Sequence, residues 1–244
     1  MELRLLRHAQ VDSTNERALA AIADGTARHG DVHLAEAQTA GRGRLGRSWA
    51  SAPGEGLYLS VVLLPAVRPH PAALTMAAGL AVLEAAQALG ARAARLKWPN
   101  DVLAGGAKLA GILVEARGVE PPHAVVGVGL NVLQRAFAPA LVAERAVTSL
   151  ALLGHPHPID EAAAVLLARL APRLAEALEL PQAVARDYAA ALGLVGQLVR
   201  VRDGRGTARG RLVALGLEGL ELSDERGART RHLLEHVQAL EPED

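Results

Sequence analysis

Lys97-Trp98-Pro99-Asn100-Asp101, resumed at Lys108-Leu109-Ala110-Gly111-Ile112 and running on to Glu115, is the stretch from which the fold can be read. It holds both lysines of a chain whose other basic residues are all arginine, one of its two tryptophans and one of its three asparagines. A compact ammonium on a flexible stem does what the wide guanidinium fork cannot, so lysine retained only here marks a chemical task. Locally the pattern predicts a strand into Trp98, a break at Pro99, and a hairpin that turns at Gly105-Gly106 and returns over residues 108–116.

Upstream of that hairpin, residues 3–9 read as a short strand, and Ser13 with Glu16 fits a capping box opening a helix over 16–23 that Gly25 closes. Residues 31–38 read as a strand delivering the chain into Gly41-Arg42-Gly43-Arg44-Leu45-Gly46-Arg47. Residues 57–64 form a continuous apolar run, a buried strand, and residues 71–89 a buried helix stopped by Gly90. Downstream, a turn at Pro121-Pro122 leads into another apolar strand over 123–132. Leu166, Leu170, Leu174 and Leu178, four residues apart, predict an amphipathic helix over 159–180 bent at Pro172, with a short helix after it. From about Leu194, short segments punctuated by glycine predict a small β domain. The expected organisation is α/β (α+β), with a larger domain over 1–193 and a small β domain over 194–244.

At 244 residues, half of them hydrophobic, the chain is long enough to bury a sizeable core. Its 26 basic and 26 acidic residues cancel, which removes the global charge that nucleic acid or an anionic membrane attracts. The absence of cysteine excludes disulfides, thiolate metal sites and a thiol nucleophile. Without a secretory leader pattern or a run of roughly 18 apolar residues, a cytoplasmic location is expected.

Gly41 to Arg47 carries three glycines and three arginines and no acid, so its backbone can approach an anion while forked donors grip it. The alternatives are a flexible surface loop or a segment touching RNA. Lys97 and Lys108 flank a turn containing Asp101, so two cations and a carboxylate can converge on one pocket. Asp101 could hold Mg²⁺ together with substrate phosphates, or cap the turn with Asn100. The alternative for Lys108 is a solvated lysine at a strand edge, which the near absence of lysine elsewhere disfavours. Ser13 and Thr14 offer hydroxyls at a helix start, where capping alone accounts for Ser13. Gln38 places an amide before the Gly/Arg loop, and Gly127 and Gly129, just before Asn131, imply close approach of a ligand or another backbone. The nine histidines show no metal-ligand spacing.

Four blocks, taken together and in this order, resemble the biotin protein ligases, the biotin–[acetyl-CoA-carboxylase] ligase class. They are Asp12 to Asn15; Ala35 to Gln38 running through Gly41-Arg42-Gly43-Arg44 to Trp49; Lys97 to Asp101 with Lys108 to Leu113; and Gly127 to Asn131. The resemblance implies a class II synthetase-like mixed-sheet catalytic domain followed by a small SH3-like β barrel. It implies that ATP activates biotin to biotinyl-5′-AMP and that a lysine of a biotin carboxyl carrier protein then takes the acyl group. Carried over by motif, Ser13, Thr14, Asn15, Gln38 and Gly41 would surround biotin, with Gly111 and Gly127 beside them. Arg42, Gly43 and Arg44 would close over biotin and the nucleotide as an ordering loop. Lys108 would bridge the biotin carboxylate and the α-phosphate, acting with Arg44 and Asp101 in catalysis. Trp49, Lys97, Asn100 and Asn131 would border the nucleotide, and Asp101 its Mg²⁺. The resemblance further implies a homodimer. The first ligase block begins at Asp12, which leaves no room before it for the DNA-binding domain of some relatives, so no DNA partner is expected. Lipoate attachment on the same fold is the nearest alternative, and an RNA-binding module using the Arg/Gly loop is the alternative from another class.

Overall fold

Leu57, Leu59, Val61 and Leu63 point to one face of their strand and Ser60 and Val62 to the other, an alternation that builds the centre of a mixed sheet. The computed structural model describes all residues except 67, 118–121, 205 and 244 and the side chain of residue 117. Seven strands make the larger sheet: β1 (Arg4–Val11), β2 (Asp31–Gln38), β3 (Gly56–Leu63), β4 (Arg95–Lys97), β5 (Asp101–Ala104), β6 (Ala107–Arg117) and β7 (His123–Asn131). Their order is β1-β2-β3-β7-β6-β5-β4, with β1 and β2 parallel and every other pair antiparallel.

The two faces are covered unequally. Helices α2 (Pro71–Ala88), α4 (Ile159–Glu179) and α5 (Pro181–Leu192) pack on one, joined in a single core by residues such as Leu74, Leu166 and Tyr188. Although α2 is long and apolar enough to cross a membrane by length and composition, most of it is buried against this core. Arg173 of α4 ties the layer together, reaching Glu84 of α2 at 2.7 Å, Glu176 at 3.0 Å and Asp187 of α5 at 2.7 Å. The other face carries α1 (Thr14–Ala23), ten residues whose Ala18 packs on Val62 and Val125. A helix of about 15 Å cannot roof seven strands. The part it leaves open, floored by β6 and β7, is where the site lies.

Several expectations change. The first helix starts at Thr14; Ser13 holds the N-cap position but makes no side-chain capping bond, and Glu16 pairs with Arg42 instead, so no capping box forms. The helix expected over 159–180 ends at Glu179, with Pro172 inside it. A short helix, α3 (Pro139–Glu144), lies in a segment that carries no periodicity to predict it. The expected hairpin is present, with Gly105 and Gly106 at φ 59° and 80°, the left-handed pair its two-residue turn requires. The Pro121-Pro122 turn falls partly outside the described residues.

The C-terminal segment forms an antiparallel sheet of β8 (Leu198–Asp203), β9 (Gly206–Gly216), β10 (Gly219–Ser223), β11 (Arg229–His232) and β12 (Ala239–Pro242), ordered β11-β10-β9-β8-β12. Among the described residues β11 and β12 do not pair, so the sheet is open where a closed SH3-like barrel was expected. Its Val199, Leu212 and Leu240 belong to the same buried cluster as the larger sheet's core.

Candidate functional site

Gly111 on β6 and Gly129 on β7 lie opposite each other, and a Cβ on either would stand 2.9 Å or 2.4 Å from the Trp49 ring. Gly127, two residues earlier on the same face, leaves room for Asn15, whose Oδ1 would lie 2.2 Å from an added Cβ. These strand glycines therefore admit side chains of the protein itself, Trp49 and Asn15, onto the sheet. That refines the expectation of a ligand or another backbone there.

Trp49 reaches this floor because the Gly/Arg loop folds back as a small hairpin. Trp49 N donates to Gly41 O (2.8 Å), Gly43 N donates to Arg47 O (2.7 Å), and Arg42 bridges Ser48. Gly41 has no room for a side chain, since a Cβ would sit 2.4 Å from Trp49 O. At the tip Leu45 adopts φ 57° and is 81% exposed. Arg42 anchors the loop to Glu115 (Nη2 to Oε1, 2.8 Å) and also pairs with Glu16.

A continuous polar chain runs from that anchor under the loop. Asn15 Nδ2 donates to Glu115 Oε2 (2.9 Å); Ser60 Oγ donates to Asn15 Oδ1 (2.6 Å) and lies 2.7 Å from Thr14 Oγ1. Thr14 N donates to Gln38 Oε1 (2.8 Å), and Gln38 Nε2 donates to Ser51 Oγ (2.7 Å), itself 3.2 Å from Trp49 O. Ser13, Thr14 and Asn15 are nearly fully buried, so these are desolvated groups fixed by one another.

Lys108 closes the other side. Its Nζ lies 2.7 Å from Asp101 Oδ1 and 5.3 Å from the centre of the Trp49 ring. Burial lowers the Lys108 pKa below the ordinary lysine value even though Asp101 opposes the shift. Arg44 crosses the mouth, its Nη1 3.4 Å from Asn100 Oδ1. Two cavities meet here. One, of about 90 Å³, is lined by the polar chain, Lys108, Asp101 and the loop arginines. The second, of about 230 Å³, is lined by Asn131 and Gln134 together with Phe137, Leu141 and Val147. Ser48, Trp49, Lys108 and Arg145 line both. A polar chamber, an apolar chamber and a cationic doorway between them suit the joining of two anions, one of which carries an aromatic base.

Residues 8–131 match the family described as "Biotin/lipoate A/B protein ligase family". The chain belongs to that family. It is 45% identical over 199 residues to the biotin–[acetyl-CoA-carboxylase] ligase of Mycobacterium tuberculosis, covering 79% of this chain and 72% of that protein. It is 40% identical over 141 residues to the bifunctional ligase/repressor BirA of Escherichia coli, of whose length the match spans 43%. Among solved structures it is similar to the biotin protein ligase of Aquifex aeolicus in complex with biotin and ATP, with TM-score 0.81, 29% identity, and 98% of this chain and 99% of that one covered.

Most of the residues singled out from the sequence of this ligase-family chain converge. Ser13, Thr14, Asn15, Gln38, Arg42, Gly43, Arg44, Trp49, Asn100, Asp101, Lys108, Gly111 and Gly127 all line the first cavity, and Asn131 the second. Gly41 lies outside both and serves the loop's closure. Lys97 is turned away: its Nζ lies 3.3 Å from Glu241 on β12, and it lines neither cavity, so one lysine rather than two faces Asp101. Among the described residues there is no cluster of three or more metal-ligating side chains, and Asp101 pairs with Lys108. Ser60, Glu115 and Arg145 were given no role from the sequence. Ser60 left a signal as a hydroxyl within an apolar strand, whereas Arg145 left none.

Proposed function

We propose that this chain is an AMP-forming biotin ligase, and that Lys108 at the junction of the two cavities is the observation that carries the reading. The first cavity takes biotin, whose polar ring meets the Thr14, Asn15 and Gln38 network. The second takes the adenosine of ATP between Phe137, Leu141 and Val147. The carboxylate and the α-phosphate then meet at Lys108, where a buried ammonium offsets their repulsion. A carboxylate oxygen bonds to phosphorus as pyrophosphate departs, giving biotinyl-5′-AMP. The neutral amine of an acceptor lysine next attacks the acyl carbon, AMP leaves, and one proton is released. The Gly/Arg loop, held by Arg42 on Glu115, keeps water from the anhydride in between.

Mg²⁺, if it accompanies the nucleotide, would be held mainly by phosphates with Asp101 at the edge, in keeping with an ion that prefers few protein carboxylates. The acceptor is a biotin carboxyl carrier protein, and zero net charge argues against DNA as a partner. The division at residue 193 and an SH3-like character for the C-terminal sheet are part of the same proposal, supported by five short antiparallel strands after α5. Incubation with biotin, ATP and Mg²⁺ should yield biotinyl-5′-AMP by mass spectrometry. No adenylate with biotin but a lipoyl adenylate with lipoate would reverse the substrate assignment.

A further inference from the structure

Arg145 stands just outside α3 and lines both cavities. Its place is fixed from the Lys108 side: Lys108 N donates to Ala146 O (2.9 Å), Thr148 N donates to Lys108 O (2.9 Å), and Val147 bridges Lys108 in parallel. The guanidinium is thus carried into the doorway by the residues zipped to the lysine that bridges the reacting groups. Its side chain is 24% exposed, and its ion pair is with its neighbour Glu144, which is 55% exposed. A contact of that kind is weak and readily exchanged for a stronger anion. Lys97, which the resemblance placed at the border of the nucleotide, is instead paired with Glu241. The doorway therefore has a cation that no motif announced.

We propose that Arg145 binds the β- and γ-phosphates of ATP and holds the departing pyrophosphate, an inference that rests on the biotin-activating reading above. In adenylation, a biotin carboxylate oxygen bonds to the α-phosphorus while the bond from that phosphorus to the bridging oxygen breaks. The electron pair leaves on pyrophosphate, and no proton is transferred. Lys108 is occupied between the carboxylate and the α-phosphate, so the charge gathering on the leaving group needs another donor. A planar guanidinium entering from the second cavity supplies two parallel N–H groups for it. Arg145 also contributes to lowering the Lys108 pKa, which places the two charges within each other's field.

The two half-reactions separate this role from others, because pyrophosphate takes part only in the first. Arg145→Ala should lower kcat/KM for ATP in biotin-dependent pyrophosphate exchange by about tenfold to a hundredfold, the loss of a charge-assisted contact. Transfer from supplied biotinyl-5′-AMP to an acceptor lysine should proceed at the wild-type rate, which also shows that the variant is folded. Arg145→Lys, retaining charge without the fork, should fall between. Undiminished exchange in Arg145→Ala would overturn the proposal. A parallel loss in both half-reactions would overturn it too, since it would place Arg145 on the α-phosphate or in the scaffold. A wild-type protein that forms no biotinyl-5′-AMP would refute the underlying reading itself.

Discussion

A lysine ammonium buried with a single carboxylate loses most of its hydration, and Lys108 is in that position with 12% of its side chain exposed. Burial favours the neutral amine, so its pKa in the free protein lies below the ordinary value. Because the charged form is the useful one, adenylation should fall as pH rises through that lowered pKa. The alkaline limb of kcat/KM, which reports the free enzyme, should therefore come at lower pH than an ordinary lysine would give. Lys108→Ala should reduce pyrophosphate exchange by about a hundredfold or more while leaving the circular dichroism spectrum unchanged. Near-normal exchange in that variant would remove Lys108 from the chemistry. The sequence disclosed Lys108 because lysine is so rare in this chain, but the same rarity misdirected Lys97. Composition marks a residue as unusual without saying which way its strand faces.

At the scale of elements, the Gly/Arg loop combines a rigid base with an exposed tip. Its base is closed by hydrogen bonds between Gly41 and Trp49 and between Gly43 and Arg47, while Leu45 projects into solvent. Arg44 spans from this loop to Asn100 across the cavity mouth. Arg44→Gly removes that span and adds backbone freedom, so biotinyl-5′-AMP should escape faster in a rapid-filtration assay. Wild-type retention would mean that the loop is no lid. Elements of this kind were legible because their signals are local: a Gly-Gly turn, a period-two strand, an apolar run. The strand over residues 31–38 has the bounds the sequence predicts, and the hairpin turns where expected. The short α3 and the open edges of the second sheet were not legible, since they depend on partners distant in the chain.

Across the whole molecule, Trp98 links three parts of the structure. It lies at the end of β4, meets Tyr188 of α5 edge-on with ring centres 6.2 Å apart, and donates from Nε1 to Val237 O (3.3 Å) beside the second sheet. Trp98→Phe keeps an aromatic ring but strands the buried Val237 carbonyl, at a cost of about 1–3 kcal/mol. In a chain of this size that corresponds to a loss of roughly 2–12 °C in Tm by calorimetry. An unchanged Tm would show that the link carries no stability. Its position in the sequence, inside one of the four blocks that resemble the ligases, gives no hint of this structural task.

The polar chain beneath the loop also has a direction, set by counting protons. Asn15 must turn its amide nitrogen toward the Glu115 carboxylate, so its oxygen can only receive and the Ser60 proton is spent on it. Thr14's own proton is likewise spent inside the protein, on Gln38 Oε1 at 3.2 Å or on Ser60 Oγ at 2.7 Å, and what Thr14 can still offer an incoming molecule is a lone pair. The pocket wall is thus polarised before any ligand arrives. It rewards a ring bearing N–H groups, as the ureido of biotin does, whereas a dithiolane, having none, would gain no hydrogen bond from that oxygen.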